Sequence, residues 1–200
     1  PFTVDLLLPS GAENLNYVLY TDESPYKMQR EWLDRLPFDI YSVNVHTGAK
    51  RLIGRSYCTA PKWSVNGKWA VMYDPIAQVW NKFDGATGKV VNISDAIGYP
   101  MFMESYDKPA PAPAYGIAGW TADGNNVFLY DAYDWWKIDL TGERQPECLT
   151  KGYGRKHGKS IRKMTSNIDK DVFQKDEKVI VSLWDKDTMD EGCLLYTSDA

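Results

Sequence analysis

An all-β chain assembled from repeated four-stranded units is the fold class this 200-residue sequence predicts, on three observations. The first is a repeat. WSVNGKWAVMYD (residues 63–74) is written again as WTADGNNVFLYD (residues 120–131), each with a Trp, a polar turn holding Gly67 or Gly124, an apolar run, and an Asp eleven residues after the Trp. The second is punctuation. Thr-Gly pairs at Thr47, Thr87 and Thr141 each separate short strand-like runs, as hairpin turns do. The third is the form of the apolar segments: short runs such as residues 69–73 and 127–130, bounded by polar residues, read as buried strands. A unit repeated in this way is one supersecondary element used several times.

The elements follow in order. Residues 1–9 alternate weakly and read as the end of a strand from a preceding unit. NYVLYT (16–21) is a buried strand. Residues 22–38 are too long for a hairpin turn and read as an elaborated loop with a helical turn. DIYSVNV (39–45) runs through His46-Thr47-Gly48-Ala49 into residues 50–53, a hairpin. The second unit spans about 60–94 and the third about 115–150. Between them KPAPAPA (108–114) excludes both a helix and a central strand. Such a stretch can be an extended ligand for another domain, but between two repeat units it reads as a stiff loop. Residues 160–166 and KVIVSLW (178–184) are strands of a fourth unit whose hairpin, 185–192, is expected to be cut off. Units of about 40–55 residues with about four short strands are propeller blades, whose inner strands are apolar because both faces pack on neighbours. The expected fold is therefore a partial β-propeller of three to four four-stranded blades. A flat sandwich, the other all-β solution, would not demand the repeated Trp-to-Asp register.

Composition excludes some functions. The content of 44 % hydrophobic and 14 % aromatic residues suffices for a core. A net charge of −4 with interspersed signs and no basic stripe argues against nucleic acid. No apolar run approaches the roughly 18 residues of a membrane-spanning helix. The chain opens on Pro1 without an initiator Met, which reads as a piece cut from a longer protein. CLLYTSDA (193–200) matches the translated read-through of a transposase-type sequencing adapter. The natural sequence is then expected to end near Gly192, with residues 193–200 a non-native tail making few contacts. A genuine strand, LLYTS, closing the next hairpin is the competing reading. Without the tail two cysteines remain, Cys58 and Cys148, which give no disulfide framework and read as small buried hydrophobes.

Chemistry is sparse. GRKHGKS (154–160) invites a phosphate-loop reading, yet the position that should hold the first Gly is Tyr153 and no apolar strand feeds it. A solvated basic loop is the better reading. His46 and His157 are the only histidines, and neither has a carboxylate or Cys at ligand spacing. No G-x-S-x-G elbow occurs. Asn92-Ile93-Ser94 fits the glycosylation sequon, which matters only in a secretory eukaryotic host. Trp135 and Trp136, with Tyr130, Tyr133 and Trp80, offer stacking surfaces for a sugar or a proline-rich peptide. Packing is favoured over binding, with strand alternation placing one Trp in the core and the other exposed or against a neighbouring blade. The sequence nominates no catalytic, cofactor-binding or metal-ligating residue.

YGIAGWTADGNNVFLYDAYDWWKIDLTGE (115–143) followed by LTKGYGRK (149–156) resembles the propeller segment of large bacterial serine peptidases of the prolyl oligopeptidase family. Residues 63–94 are similar to a preceding blade of such proteins, and residues 25–51 to the blade before that. The resemblance covers about residues 14–192 and weakens after residue 170. It implies an N-terminal propeller over residues 1–192 that caps a C-terminal α/β-hydrolase domain absent from this chain. That domain would carry the Ser-Asp-His triad, while the propeller screens which peptides reach it. The partners implied are peptide substrates and the chain's own hydrolase domain, and a periplasmic or extracellular location is favoured. The adjacent Glu pair with which dipeptidyl-peptidase members hold a substrate amino group has no counterpart here. A non-catalytic binding or scaffold propeller is the alternative, because fold does not fix function.

Overall fold

The computed structural model describes residues 4–7, 15–33, 35–164, 171–175 and 177–196, in two compact units, Pro1–Ile93 and Ser94–Ala200. In the first, β1 (Val4–Leu7), β2 (Tyr17–Asp22), β3 (Phe38–Asn44) and β4 (Lys50–Tyr57) form one antiparallel meander. A second meander comprises β5 (Lys62–Trp63), β6 (Trp69–Asp74), β7 (Val79–Asp84) and β8 (Val90–Asn92). The long excursion after β2 contains the expected helical turn, a 3-10 segment over Ser24–Gln29. Tyr26 holds it to the sheet by donating its hydroxyl to Asp39 Oδ1 at 2.6 Å. Leu19, Ile40 and Tyr57 of the first meander bury against Ala70, Met72 and Phe83 of the second. Full burial of the larger of these side chains, such as Leu19, Ile40, Met72 and Phe83, stabilises by about 1.5–3 kcal/mol each. Backbone bonds from Asn16 and Tyr17 to the Gly85 carbonyl join the two sheets.

In the second unit β9 (Ile117–Thr121), β10 (Asn126–Tyr130), β11 (Trp135–Asp139) and β12 (Glu147–Cys148) form the third meander. A short helix α1 (Tyr153–Lys156) leads to β13 (Lys159–Lys163). After β14 (Val172–Phe173), β15 (Val179–Asp185) and β16 (Glu191–Tyr196) complete a three-stranded sheet with β13. Phe128, Tyr130 and Trp135 of the third sheet bury against Ile161, Val181 and Leu183 of the fourth. KPAPAPA runs as an extended loop, tied by a bridge from Ala114 to Phe102. The fold class is all-β and of the propeller kind, with two four-stranded sheets, a third whose four-stranded meander gains β14 as a fifth strand, and a three-stranded fourth among the described residues.

The repeat extends to individual hydrogen bonds. Trp63 pairs with Ala70 and Trp120 with Val127, the same offset on the first strand of each blade. In both turns a hydroxyl, Ser64 or Thr121, accepts the amide of the first residue of the next strand. An Asn66 or Asp123 oxygen accepts the amide two residues on. Asp74 and Asp131 then accept the amides two and three residues later, so the eleven-residue register positions a turn-closing carboxylate.

A second turn recurs between the third and fourth strands of the first two blades and between β15 and β16. Asn44, Asp84 and Asp185 each accept two following amides. Gly48 and Gly88 close the first two at φ 68° and 70°, and Met189 closes the third at φ 61°. The hairpin at 185–192, expected to be truncated, is therefore a complete copy of this turn followed by a strand. Cys193, Leu194 and Leu195 pair in register with Ser182, Val181 and Ile180, rather than projecting as expected of the tail. Their side chains stay exposed, Leu194 at 51 % and Leu195 at 58 %. Residues 197–200 and Ser166 lie outside the described residues.

One pairing had no sequence counterpart. The insertion between β13 and β15 sends β14 to the free edge of β9, where Val172 and Phe173 pair in parallel with Trp120 and Thr121. Gly119 permits this approach, since a Cβ there would lie 2.5 Å from the Phe173 ring and 2.6 Å from the Asp171 carbonyl.

Candidate functional site

The motif that invites a phosphate reading is bound internally. Gly152 starts α1 at φ 73°, and the Gly154 and Arg155 amides donate to Asp134 at 2.9 and 3.0 Å. The Thr150 hydroxyl donates to the same carboxylate at 2.6 Å. Asp134 is 1 % exposed, so the anion at this helix start is the protein's own.

Beside it Asp131 is fully buried. Its Oδ1 accepts the Tyr133 and Asp134 amides at 2.7 and 2.6 Å. Its Oδ2 accepts Trp136 Nε1–H at 3.0 Å and Arg155 Nη2–H at 3.1 Å. The Arg155 guanidinium lies over the rings of Tyr99 and Tyr133, 4.1 and 5.1 Å from their centroids. Burial works to lower its pKa, but the hydrogen bond and charge of Asp131 hold it above its ordinary value. Arg162, more deeply buried, donates to the Asp131 and Ala132 carbonyls at 2.8 and 3.3 Å and covers Tyr130. Burial dominates there and pushes its pKa down. Of the segment expected to be a solvated basic loop, Lys156 and His157 are exposed, while Gly154 and Arg155 join a buried ion cluster. Apart from the buried Arg155 Nε, which has no hydrogen-bond partner among the described residues, the cluster's donors answer its acceptors, an arrangement that holds a loop rather than breaks a bond.

The aromatic, histidine and cysteine candidates resolve into structure as well. Trp135 and Trp136 face opposite sides of β11 as alternation requires, but both are buried, at 3 % and 9 % exposure, so neither offers a free stacking face. Trp135 donates Nε1–H to the Ile161 carbonyl and packs edge-on to Tyr130, which supports the packing reading. His46 Nε2 lies 3.2 Å from Asn16 Oδ1, and the His157 ring packs at a tilt of 37° against Tyr153 with centroids 4.4 Å apart. Cys58 and Cys148 are half-buried free thiols, both with pKa pushed up by burial. Among the described residues no group of three or more His, Cys, Asp or Glu is arranged to hold a metal ion.

The second unit also carries a cleft of about 630 Å³ beside β14. Phe128, Trp135 and Phe173 supply its aromatic wall, with Phe128 and Phe173 edge-on at 5.2 Å. Leu149 and Val179 extend the apolar surface, while Lys137, Arg144 and Lys175 bring positive charge. Alternation on β10 and β11 sets this wall: Phe128 and Lys137 are register partners, and Trp135 lies two residues before Lys137 on the same face. The sequence concealed the cleft because Phe173 reaches it only through the crossover of β14.

No family model and no curated protein matches the chain. Among solved structures it is similar to the β-propeller domain of the Trilobed protease from Pyrococcus furiosus, at 13 % identity and a TM-score of 0.38 over 97 % of this chain and 57 % of that one. It is also similar to Pyrococcus horikoshii acylaminoacyl peptidase, at 15 % identity and 0.38 over 98 % and 33 %. A third likeness is to putative TolB from Agrobacterium tumefaciens, at 14 % identity and 0.35 over 91 % and 63 %. The chain spans less than two thirds of each of these proteins, and the likeness is one of fold.

Proposed function

We propose that this chain is a non-catalytic propeller portion of a bacterial serine peptidase of the prolyl oligopeptidase family. In this reading it screens which peptides reach a catalytic α/β-hydrolase domain encoded with it, and residues 193–200 are foreign to the natural protein. The observation that carries the reading is the resemblance over residues 115–143 and 149–156. The residues that carry the resemblance include Asp131, Asp134, Gly154 and Arg155, which bond to one another as a blade-locking cluster. Their service is architectural, which suits a part that shapes access to a reaction performed elsewhere. Covalent catalysis by serine needs a nucleophile, a base within hydrogen-bond reach and donors for the oxyanion.

Two measurements test the proposal. The purified chain is assayed with chromogenic prolyl and alanyl peptide substrates and a serine-reactive fluorophosphonate, with neither turnover nor labelling expected. Stoichiometric labelling of one serine overturns the non-catalytic assignment. Long-read sequencing of the parent gene is expected to replace CLLYTSDA with other codons and to continue into a G-x-S-x-G elbow within an α/β pattern. Further blades followed by a stop codon identify a scaffold propeller instead.

A further inference from the structure

The cleft beside β14 combines two features that select a ligand. Its wall is aromatic and apolar, formed by Phe128, Trp135, Phe173, Leu149 and Val179. Its ionisable lining is Lys137, Arg144 and Lys175 with Asp123 and Glu177.

The two carboxylates are already engaged. Asp123 Oδ1 accepts the Thr121 hydroxyl and the Asn125 amide, and Oδ2 accepts Asn125 Nδ2–H at 3.1 Å. Glu177 Oε2 accepts the Gln174 amide at 2.8 Å. The cations differ. Among the described residues the side chains of Lys137, Arg144 and Lys175 take part in no ion pair, and Glu147, the register partner of Lys137 on β12, does not line the cleft. Among the described lining residues three cations stand against two carboxylates, a single net positive charge beside an aromatic wall. The volume falls within the roughly 300–1,000 Å³ typical of small-molecule sites, in which apolar walls supply affinity and a few polar groups fix orientation.

We propose that this cleft binds an organic monocarboxylate with an aromatic or branched apolar body, as presented by the C-terminal residue of a peptide ending in Phe or Leu. The body lies against Phe128, Trp135 and Phe173. The carboxylate meets Arg144, whose planar fork suits a carboxylate, with Lys137 and Lys175 as point charges beside it. No bond is made or broken. The site is formed within the second unit alone and is independent of the peptidase reading.

The test titrates the full chain by calorimetry and by amide chemical shifts. The probes are N-acetyl-phenylalanine, its C-terminal amide, and a hexapeptide ending in Phe with a free or amidated C-terminus. Saturable binding of the two free acids is expected, with each amidated counterpart at least about tenfold weaker, as loss of a charge-assisted contact predicts. Binding of the small acid with exclusion of the free-acid hexapeptide assigns the site to small carboxylates; binding of both assigns it to peptide C-termini as well. Lys137→Gln and Arg144→Gln should each weaken binding about fivefold or more, while Lys62→Gln in the first unit should change nothing. Circular dichroism confirms that each variant is folded. Absence of saturation at 10 mM probe (roughly the weakest affinity such a site can be said to hold), equal affinity for acid and amide, or indifference to both substitutions overturns the proposal.

Discussion

Replacing Asp131 by Asn tests the buried cluster with almost no change of shape. The carboxylate accepts four hydrogen bonds in a fully buried position, two from turn amides and two from Trp136 and Arg155. An Asn can keep one oxygen toward the turn amides, but its NH₂ then confronts the Trp136 and Arg155 donors. Turning the amide over moves the conflict to the turn. Either way two acceptor contacts are lost: in the first orientation one of them is to a full positive charge, in the second both are to turn amides. At about 1.5–3 kcal/mol for a charged hydrogen bond, and in keeping with the cost of breaking a buried pair, the expected destabilisation is about 3–5 kcal/mol. Arg155→Met leaves the fully buried Asp131 carboxylate without its cation and should cost a similar amount, about 3–5 kcal/mol. Because the two residues share one bond, the double variant should be less destabilised than the sum of the singles by about 1 kcal/mol or more. Urea unfolding at neutral pH, followed by both circular dichroism and tryptophan fluorescence, measures all four proteins. An Asp131→Asn variant within about 0.5 kcal/mol of the parent, the ordinary range for surface substitutions, would refute the claim that this cluster locks the blade.

Three further outcomes rest on the same geometry. Gly154→Ala should destabilise by about 1–3 kcal/mol in urea, the usual cost of overpacking, since its Cβ would lie 2.7 Å from both the Lys159 and Tyr133 carbonyls. Met189→Gly should stabilise by about 0.5–1 kcal/mol, because the left-handed conformation penalises a side chain by more than glycine loses in chain entropy; an unchanged urea midpoint contradicts the turn assignment. Asp123 is held below the usual carboxylate pKa by the Thr121 hydroxyl first and the Asn125 amide second. A depressed folded value means that its stabilisation is complete above the unfolded value of about 3.9 and is lost as pH falls through the lower folded one. Asp123→Asn should therefore flatten the acid side of a plot of urea midpoint against pH, and an unaltered slope below about pH 4 counts against that bond.

What the sequence reveals and what it hides divide along the range of the interactions. Turns are local, so Ser64 and Thr121, Asp74 and Asp131, and the Gly at positions 48 and 88 announce themselves within a few residues. Met189 breaks that legibility: the same turn forms without its glycine because Asp185 accepts the amides of Asp187 and Thr188. The ion pair of Asp131 with Arg155 and the Asp134 bonds to α1 join residues about twenty apart through a fold, and no spacing rule signals them. In the sequence Arg155 is consequently one more surface charge in a basic loop. The burial of Trp136 is hidden for a related reason. Alternation tells which face a side chain takes, but not that Asp131 waits beneath it for an indole N–H.

The crossover of β14 has a consequence for synthesis. The first strand of the third blade, β9, ends at Thr121, yet the residue that pairs with Thr121 on its outer edge is Phe173. About fifty residues must therefore leave the ribosome after β9 before that edge can be closed, which takes about 3–10 s at 5–20 residues per second. Through that interval the nascent chain presents the Trp120 and Ala122 amides, which later donate to Asp171 and Phe173, as an open template for any extended segment nearby. The order in which the chain is made thus leaves the third blade dependent on sequence that belongs, by numbering, to the fourth.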